Sequence, residues 1–174
     1  APNDAFAVGG EGVILHYDGT AWSAMNSTVS GMLWDVWGTA SNNVFAIGEE
    51  GIILHYDGSS WQTVVNNPGQ AYCNMWGRSS SDIFVVGADI IDGTAVGGAI
   101  LHYDGSSWTQ MPLDTPDLAL FGIWGSQSGN IAYASGGTDV NEGGIGHIYR
   151  YDCSTWSEVC DHYQAAFITD LGGP

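Results

Sequence analysis

At 174 residues the chain is one domain by length, long enough to bury roughly two-thirds of the surface it would expose unfolded. Arg78 and Arg150 are its only basic residues besides histidine, against 19 acidic ones, and a net charge of −17 repels phosphate and so excludes nucleic acid and anionic membrane as partners. No apolar run reaches the roughly 18 residues that a membrane-inserted helix needs.

The chain opens Ala1-Pro2-Asn3-Asp4, without an initiator Met or a signal peptide, which points to a processed or excised form. Ala5 to Val8 reads as a short strand. A brief turn from Gly9 to Gly12 leads to a second strand that ends in His16-Tyr17-Asp18-Gly19-Thr20-Ala21-Trp22. That last phrase returns as His55 to Trp61, as His102 to Trp108, and in altered form as Arg150 to Trp156. The four tryptophans stand 39, 47 and 48 residues apart. A period of this size means one supersecondary unit used four times.

In the second unit the strands are Met32 to Trp37, Val44 to Ile47, Ile52 to Tyr56 and Trp61 to Val65. The third repeats them as Tyr72 to Trp76, Asp82 to Val86, Ala99 to Tyr103 and Trp108 to Met111. The fourth uses Leu118 to Trp124, Asn130 to Ala134, His147 to Tyr151 and Trp156 to Cys160. Each run is short and rich in β-branched or aromatic residues, and Gly, Asn, Ser and Asp punctuate the gaps. No segment carries an apolar period of 3.6, so helix is not expected.

Four antiparallel strands in about 40 residues are a β-propeller blade, so the expected fold is all-β, a four-bladed β-propeller. The first unit lacks its first strand, and Ala166 to Leu171 supplies one at the other end. Pairing of that C-terminal strand with the N-terminal blade would hide an exposed edge and close the ring. The blades then take residues 165–174 with 1–28, then 29–68, 69–114 and 115–164. The alternative is a four-blade part of a larger propeller or tandem array.

The repeats resemble those of bacterial extracellular propellers, written WG…VFAVG…G-x-ILHYDG-x-x-W. Their Tyr-Asp-Gly-x-x-Trp turn is similar to the Asp-box of sialidase-like repeats, except that here the aspartate directly precedes the glycine. The resemblance implies a propeller. It implies little about function, because propellers host lectins, hydrolases, lyases and protein-binding scaffolds alike.

Asp18, Asp57, Asp104 and Asp152 are expected to accept hydrogen bonds from the amides of their own turns. The tryptophans that follow are expected to pack between blades. His16, His55 and His102 lie two strand spacings outside the channel-lining strand, roughly 9–10 Å, so they cannot share one ion and are read as structural. Asp35, Asn74, Gly122 and Thr169 occupy equivalent channel-lining positions, and Asp35 and Asn74 are candidate cation ligands.

Units three and four break the pattern between their second and third strands. Ala88 to Gly98 and Gly136 to Gly144 are inserted there, each mixing carboxylates with glycines as a calcium loop does. Candidate ligand-facing residues are therefore Tyr72, Asp89, Asp92, Asp139, Asn141 and Glu142, and the last three are also candidate calcium ligands. Calcium is the one cofactor considered. Cys153 and Cys160 flank a predicted turn and are a candidate disulfide, whereas Cys73 reads as a small buried hydrophobe.

No G-x-S-x-G, H-E-x-x-H or phosphate loop occurs. With two arginines a sialidase-like carboxylate clamp cannot be assembled. The expected function is a non-enzymatic binding or adhesion module, secreted or at the cell surface, lectin-like or protein-binding. The alternatives are a structural subunit of a larger extracellular assembly, compatible with homo-oligomers, and a small glycan-processing enzyme using acids such as Asp35 and Asp170.

Overall fold

The computed structural model describes residues 3–113, 118–127, 129–138 and 145–163, the last four of these in backbone only. They form fifteen strands in four antiparallel sheets. Sheet one holds β1 (Ala5–Val8), β2 (Ile14–Tyr17) and β3 (Trp22–Met25). Sheet two holds β4 (Leu33–Ala40), β5 (Asn43–Gly48), β6 (Ile52–Tyr56) and β7 (Trp61–Asn66). Sheet three holds β8 (Gln70–Ser79), β9 (Asp82–Ile91), β10 (Thr94–Tyr103) and β11 (Trp108–Met111). Sheet four holds β12 (Ala119–Gly125), β13 (Ala132–Gly137), β14 (Gly146–Tyr151) and β15 (Trp156–Tyr163). Every sheet follows chain order, strand next to strand, as expected of a blade. The strand that would complete sheet one, Ala166 to Leu171, lies outside the described residues.

The chain divides into two compact units, residues 1–72 and 73–174. In the first, a core forms between sheets one and two. Ile14, Leu33, Val44, Ala46, Leu54 and Trp61 are buried there, with Phe6, Val8 and Met25 packed against them. Trp61 meets the Phe6 ring edge-on, with centroids 6.0 Å apart, and its indole N–H donates to Met25 Sδ at 3.5 Å. In the second unit the same design recurs between sheets three and four. Trp156 meets Phe84 edge-on at 5.8 Å, over a core of Val86, Ile100, Leu120, Ala134 and Tyr149. Within each unit, the outer-strand tryptophan of the later sheet thus covers a phenylalanine of the earlier one, Phe6 on β1 or Phe84 on β9. Trp22, which opens the outer strand of sheet one, is 51% exposed.

Two kinds of turn recur. Between β1 and β2, and between β5 and β6, the chain turns on a Glu-Gly pair held at positive φ: Glu11 at 57° and Gly12 at 67°, Glu50 at 57° and Gly51 at 56°. Positive φ at both central residues is what a two-residue hairpin needs to match strand twist. Glutamate is an unusual choice there, because its Cβ crowds the following carbonyl. Between the last two strands of each sheet sits the aspartate turn, with Gly19, Gly58 and Gly105 at φ 93°, 95° and 96° in the first three.

The insertion in unit three differs from expectation. Residues 88–98 do not make a separate loop. They lengthen β9 and β10 to ten residues each, paired from Ile83–Tyr103 out to Ile91–Thr94, with a bulge between Ala95 and Gly97. Asp92 (φ 50°) and Gly93 (φ 78°) close this ribbon. An Asp-Gly pair between apolar β-formers is the strongest short hairpin signal there is, and it stands in the sequence as Ile90-Ile91-Asp92-Gly93-Thr94-Ala95-Val96.

Candidate functional site

The repeated histidines are brackets within their own sheets. His16 Nε2 donates to Asp4 Oδ1 at 2.7 Å, His55 Nε2 to Asn43 Oδ1 at 2.7 Å and His102 Nε2 to Asp82 Oδ1 at 2.8 Å. Each imidazole stacks on the phenylalanine beside its partner: Phe6 at 4.5 Å, Phe45 at 4.5 Å and Phe84 at 4.4 Å. In sheet four the arginine and its surroundings change together. Arg150 pairs in register with Tyr133, and Ile131 stands two residues before Tyr133 where the other sheets carry Asp4, Asn43 or Asp82. Burial holds the His55 imidazole below its ordinary pKa.

The aspartate turns are as expected. Asp18 Oδ1 accepts the amides of Thr20 and Ala21, Asp57 those of Ser59 and Ser60, Asp104 those of Ser106 and Ser107, and Asp152 those of Ser154 and Thr155, all between 2.8 and 3.1 Å. These bonds favour the ionised carboxylate. The hydroxyl of Ser59 and the turn amides hold Asp57 down at about 2, and the corresponding donors do the same for Asp104 and Asp152. A group committed in this way to its own turn is structural.

The ligand-facing assignment of Tyr72 is corrected. Its side chain is fully buried, and its hydroxyl donates to Gln70 Oε1 at 2.6 Å, which also accepts from Asn67 Nδ2 at 3.1 Å. Asp89 lies within β9 and Asp92 at the ribbon tip, so they sit along a ladder instead of around a loop. Asp139, Asn141 and Glu142 lie outside the described residues. The base of their segment is pinned where Thr138 N–H donates to Ile145 O at 3.2 Å and Ile145 N–H to Thr138 Oγ1 at 3.1 Å.

Of the positions expected from the sequence to line a channel, Asp35 accepts its neighbour's amide, Val36 N–H to Oδ1 at 2.8 Å. Asn74 lies half-buried in β8, Gly122 lies in β12, and Thr169 is outside the described residues. Among the described residues no three His, Cys, Asp or Glu side chains gather as a metal site.

The disulfide is also corrected. Cys153 is a free, exposed thiol in the fourth aspartate turn, at φ 78°, with its Sγ 3.0 Å from the Asn130 carbonyl oxygen that accepts its proton. Cys160 is the fifth residue of β15, paired with Ile148. Four strand steps separate it from Trp156, about 13 Å along an extended chain, beyond disulfide reach of the turn. Cys73 is a free thiol as well, and burial pushes it up to about 11, which removes it as a nucleophile.

Sequence reading missed a cleft in the first unit. It encloses about 630 Å³ and is lined by Asn26, Thr28, Met32, Glu49, Glu50 and Asn66 among others. That volume falls within the range of small-ligand pockets. The positive-φ turn at Glu50 sets one wall. Glu49 Oε2 accepts Met32 N–H at 3.0 Å, which ties that turn to the segment before β4. Met32 leaves 39% of its surface exposed beside the two carboxylates. Hydroxyl, amide, thioether and carboxylate groups therefore face one recess, with no basic side chain lining it. No periodic feature marks these residues, because they come from a linker, a turn and the ends of strands.

Comparison with solved structures finds the same architecture in "YCF48 bound to D1 peptide". That structure superposes with a TM-score of 0.62 at 16% identity, over 91% of this chain and 50% of that one. These sheets are blades of a β-propeller. The chain spans half the length of the propeller it matches. No family model matches the chain, and no curated protein matches it.

Proposed function

We propose that this propeller is a non-catalytic binding module, acting outside the cell or at its surface, that holds a segment of another protein in the cleft beside Glu50. The observation that carries this reading is the cleft itself: a recess of about 630 Å³ with Glu49 and Glu50 on one wall and an exposed Met32 beside them. A carboxylate pair next to a polarisable thioether complements a lysine or arginine side chain, head against the acids and stem against the sulfur. A net charge of −17 draws such a partner in. The extracellular setting rests on the same lopsided charge. A protein ligand agrees with the D1 peptide bound to YCF48, whose fold this chain shares.

Asn26, Thr28, Thr63 and Asn66 also line the cleft, and their hydroxyl and amide groups favour a glycan as the second reading. A peptide array and a glycan array probed with the whole chain, with and without calcium, separate the two. Retention of Lys- or Arg-bearing peptides that weakens with salt and falls in Glu50→Gln supports the protein reading. Retention on glycans alone replaces it, and retention on neither removes both.

A further inference from the structure

We infer that the edge of β1 is the seat of residues 167–172 of this chain, which complete sheet one as its first strand. Sheets two, three and four each hold four strands, whereas among the described residues sheet one holds three and β1 pairs only with β2. β1 is the counterpart of β5 and β9, because Phe6 lies opposite His16 as Phe45 lies opposite His55 and Phe84 opposite His102. β4 flanks β5 and β8 flanks β9, and Phe45 and Phe84 are buried there, whereas Phe6 is half-buried.

Two features beside β1 call for a further strand. Gly9 comes three residues after Phe6, as Gly48 comes after Phe45 and Gly136 after Tyr133. A Cβ on Gly48 would lie 2.0 Å from the Met32 carbonyl oxygen, and one on Gly136 2.0 Å from that of Ala119. Those two are glycines because the backbone leading into the first strand passes that close. Gly9 has the extended backbone of Gly48, at φ −173° against −174°, which any residue adopts. Among the described residues nothing comes within 4 Å of its Cβ position. Glycine at position 9 is explained by a backbone that passes there as well.

The second feature is a recess. Trp76 of β8 sits between Phe84, 6.5 Å away between ring centroids, and Gly125, whose Cβ would meet the indole at 2.3 Å. Gly125 is buried beneath it. The counterparts in sheets one and two, Phe6 and Gly38, line a recess of about 400 Å³, and Gly38 is exposed. The recess stands where a first strand of sheet one would place its large side chain.

Spacing names the occupant. In β4, Leu33 pairs with Gly48, Trp37 with Phe45 and Gly38 with Val44. In β12, Leu120 pairs with Gly136, Trp124 with Tyr133 and Gly125 with Ala132. The pattern is a large apolar residue, a second one four positions on, and glycine next. Outside the described residues it occurs once, as Phe167, Leu171 and Gly172. In the same register Phe167 lies opposite Gly9, Asp170 opposite Ala7 and Leu171 opposite Phe6, with its side chain in the recess. The departures are Asp170, where β4 has Val36 and β12 has Ile123, and Leu171 in place of tryptophan. A second copy carries the same strand, but two chains of net charge −17 repel, whereas a tethered strand is always at high local concentration.

The test uses the whole chain carrying Ala7→Cys and Asp170→Cys, oxidised mildly and mapped by mass spectrometry. The expected result is a disulfide between positions 7 and 170 within one chain, with Ile168→Cys in place of Asp170→Cys linking at least about fivefold less, because it is two residues out of register. A second readout is Gly9→Ala in the otherwise unaltered chain. It should lower the melting temperature by about 5 °C or more, as Gly48→Ala should, against less than about 2 °C for Gly69→Ala, which also has open space at its Cβ position. Failure of Gly9→Ala to fold counts as the loss expected, and the disulfide is read independently of it. Absence of the 7–170 link overturns the inference, and a link formed only between chains does so too, because the occupant is then a second copy. Gly9→Ala melting together with Gly69→Ala also overturns it, since no backbone then passes Gly9.

Discussion

His55 Nε2 lies 2.7 Å from the side-chain oxygen of Asn43, a neutral partner where sheets one and three place Asp4 and Asp82. The three brackets share ring stacking and spacing, yet only this one lacks an anion. Burial lowers the His55 pKa, so the unfolded chain binds a proton more readily than the folded one. Stability from this group is complete above the ordinary value of 6.5 and is lost as pH falls through it. Asn43→Asp supplies the missing charge. Its expected outcome is an upward move of the His55 titration by NMR and a shallower loss of melting temperature between about pH 7 and 5. No upward move would show that the asparagine oxygen is not the group that sets the site.

The aspartate turns predict an acid limb of the opposite origin. Asp57, Asp104 and Asp152 titrate at about 2 in the fold, against 3.8. Depressed carboxylate values contribute stability that is present above 3.8 and is lost as pH falls toward 2. Asp104→Ala removes the acceptor from Ser106 and Ser107. It should lower the melting temperature at neutral pH and flatten its fall in acid, read by circular dichroism across that window.

Glycine is required by more than turn shape at Gly58. Its φ is 95°, and an added Cβ would lie 2.7 Å from the Asn42 Cβ. Gly93 also has positive φ, but open space surrounds it. Gly93→Ala is therefore expected to cost about 1 kcal/mol of backbone strain. Gly58→Ala should cost that plus the clash, about 2–3 kcal/mol, measured by denaturant unfolding. Equal losses would mean that the Asn42 contact yields without cost.

The repeated tryptophans should be unequal. Trp61 is 3% exposed and wedged against Phe6, whereas Trp22 is 51% exposed. Trp61→Ala is expected to cost about 3–5 kcal/mol and Trp22→Ala well under half of that. A similar loss at both positions would show that Trp22 is covered in solution.

Cysteine reactivity separates the two described thiols. Cys153 is exposed and should react at once with a thiol reagent in the native state. Cys73, half-buried and pushed up to about 11, should react far more slowly until the chain unfolds. Burst labelling of Cys73 in native buffer would contradict its packing.

Much of this molecule was written in residue order. The spacing of Trp22, Trp61, Trp108 and Trp156 announced four units, and Asp57-Gly58 or Asp104-Gly105 announced their turns. These are local signals: a turn needs positive φ within two residues, and a strand alternates its faces every second one. The lengthened hairpin was legible too, in Asp92-Gly93, though the surrounding glycines disguised it as a loop. Tyr72 could not be placed from sequence, because an aromatic run fits equally a binding rim and a buried wall. Only packing put its hydroxyl against Gln70.

By itself the sequence determined the repeat, the all-β class, the aspartate turns and an acidic surface, since each follows from residue type and spacing within one unit. The tertiary structure decided which histidine lacks an anion, which tryptophan is covered and where Glu50 and Met32 meet to form a cleft. Those outcomes depend on side chains brought together from separate strands and linkers. Through-space proximity sets their energies, and distance along the chain does not record it.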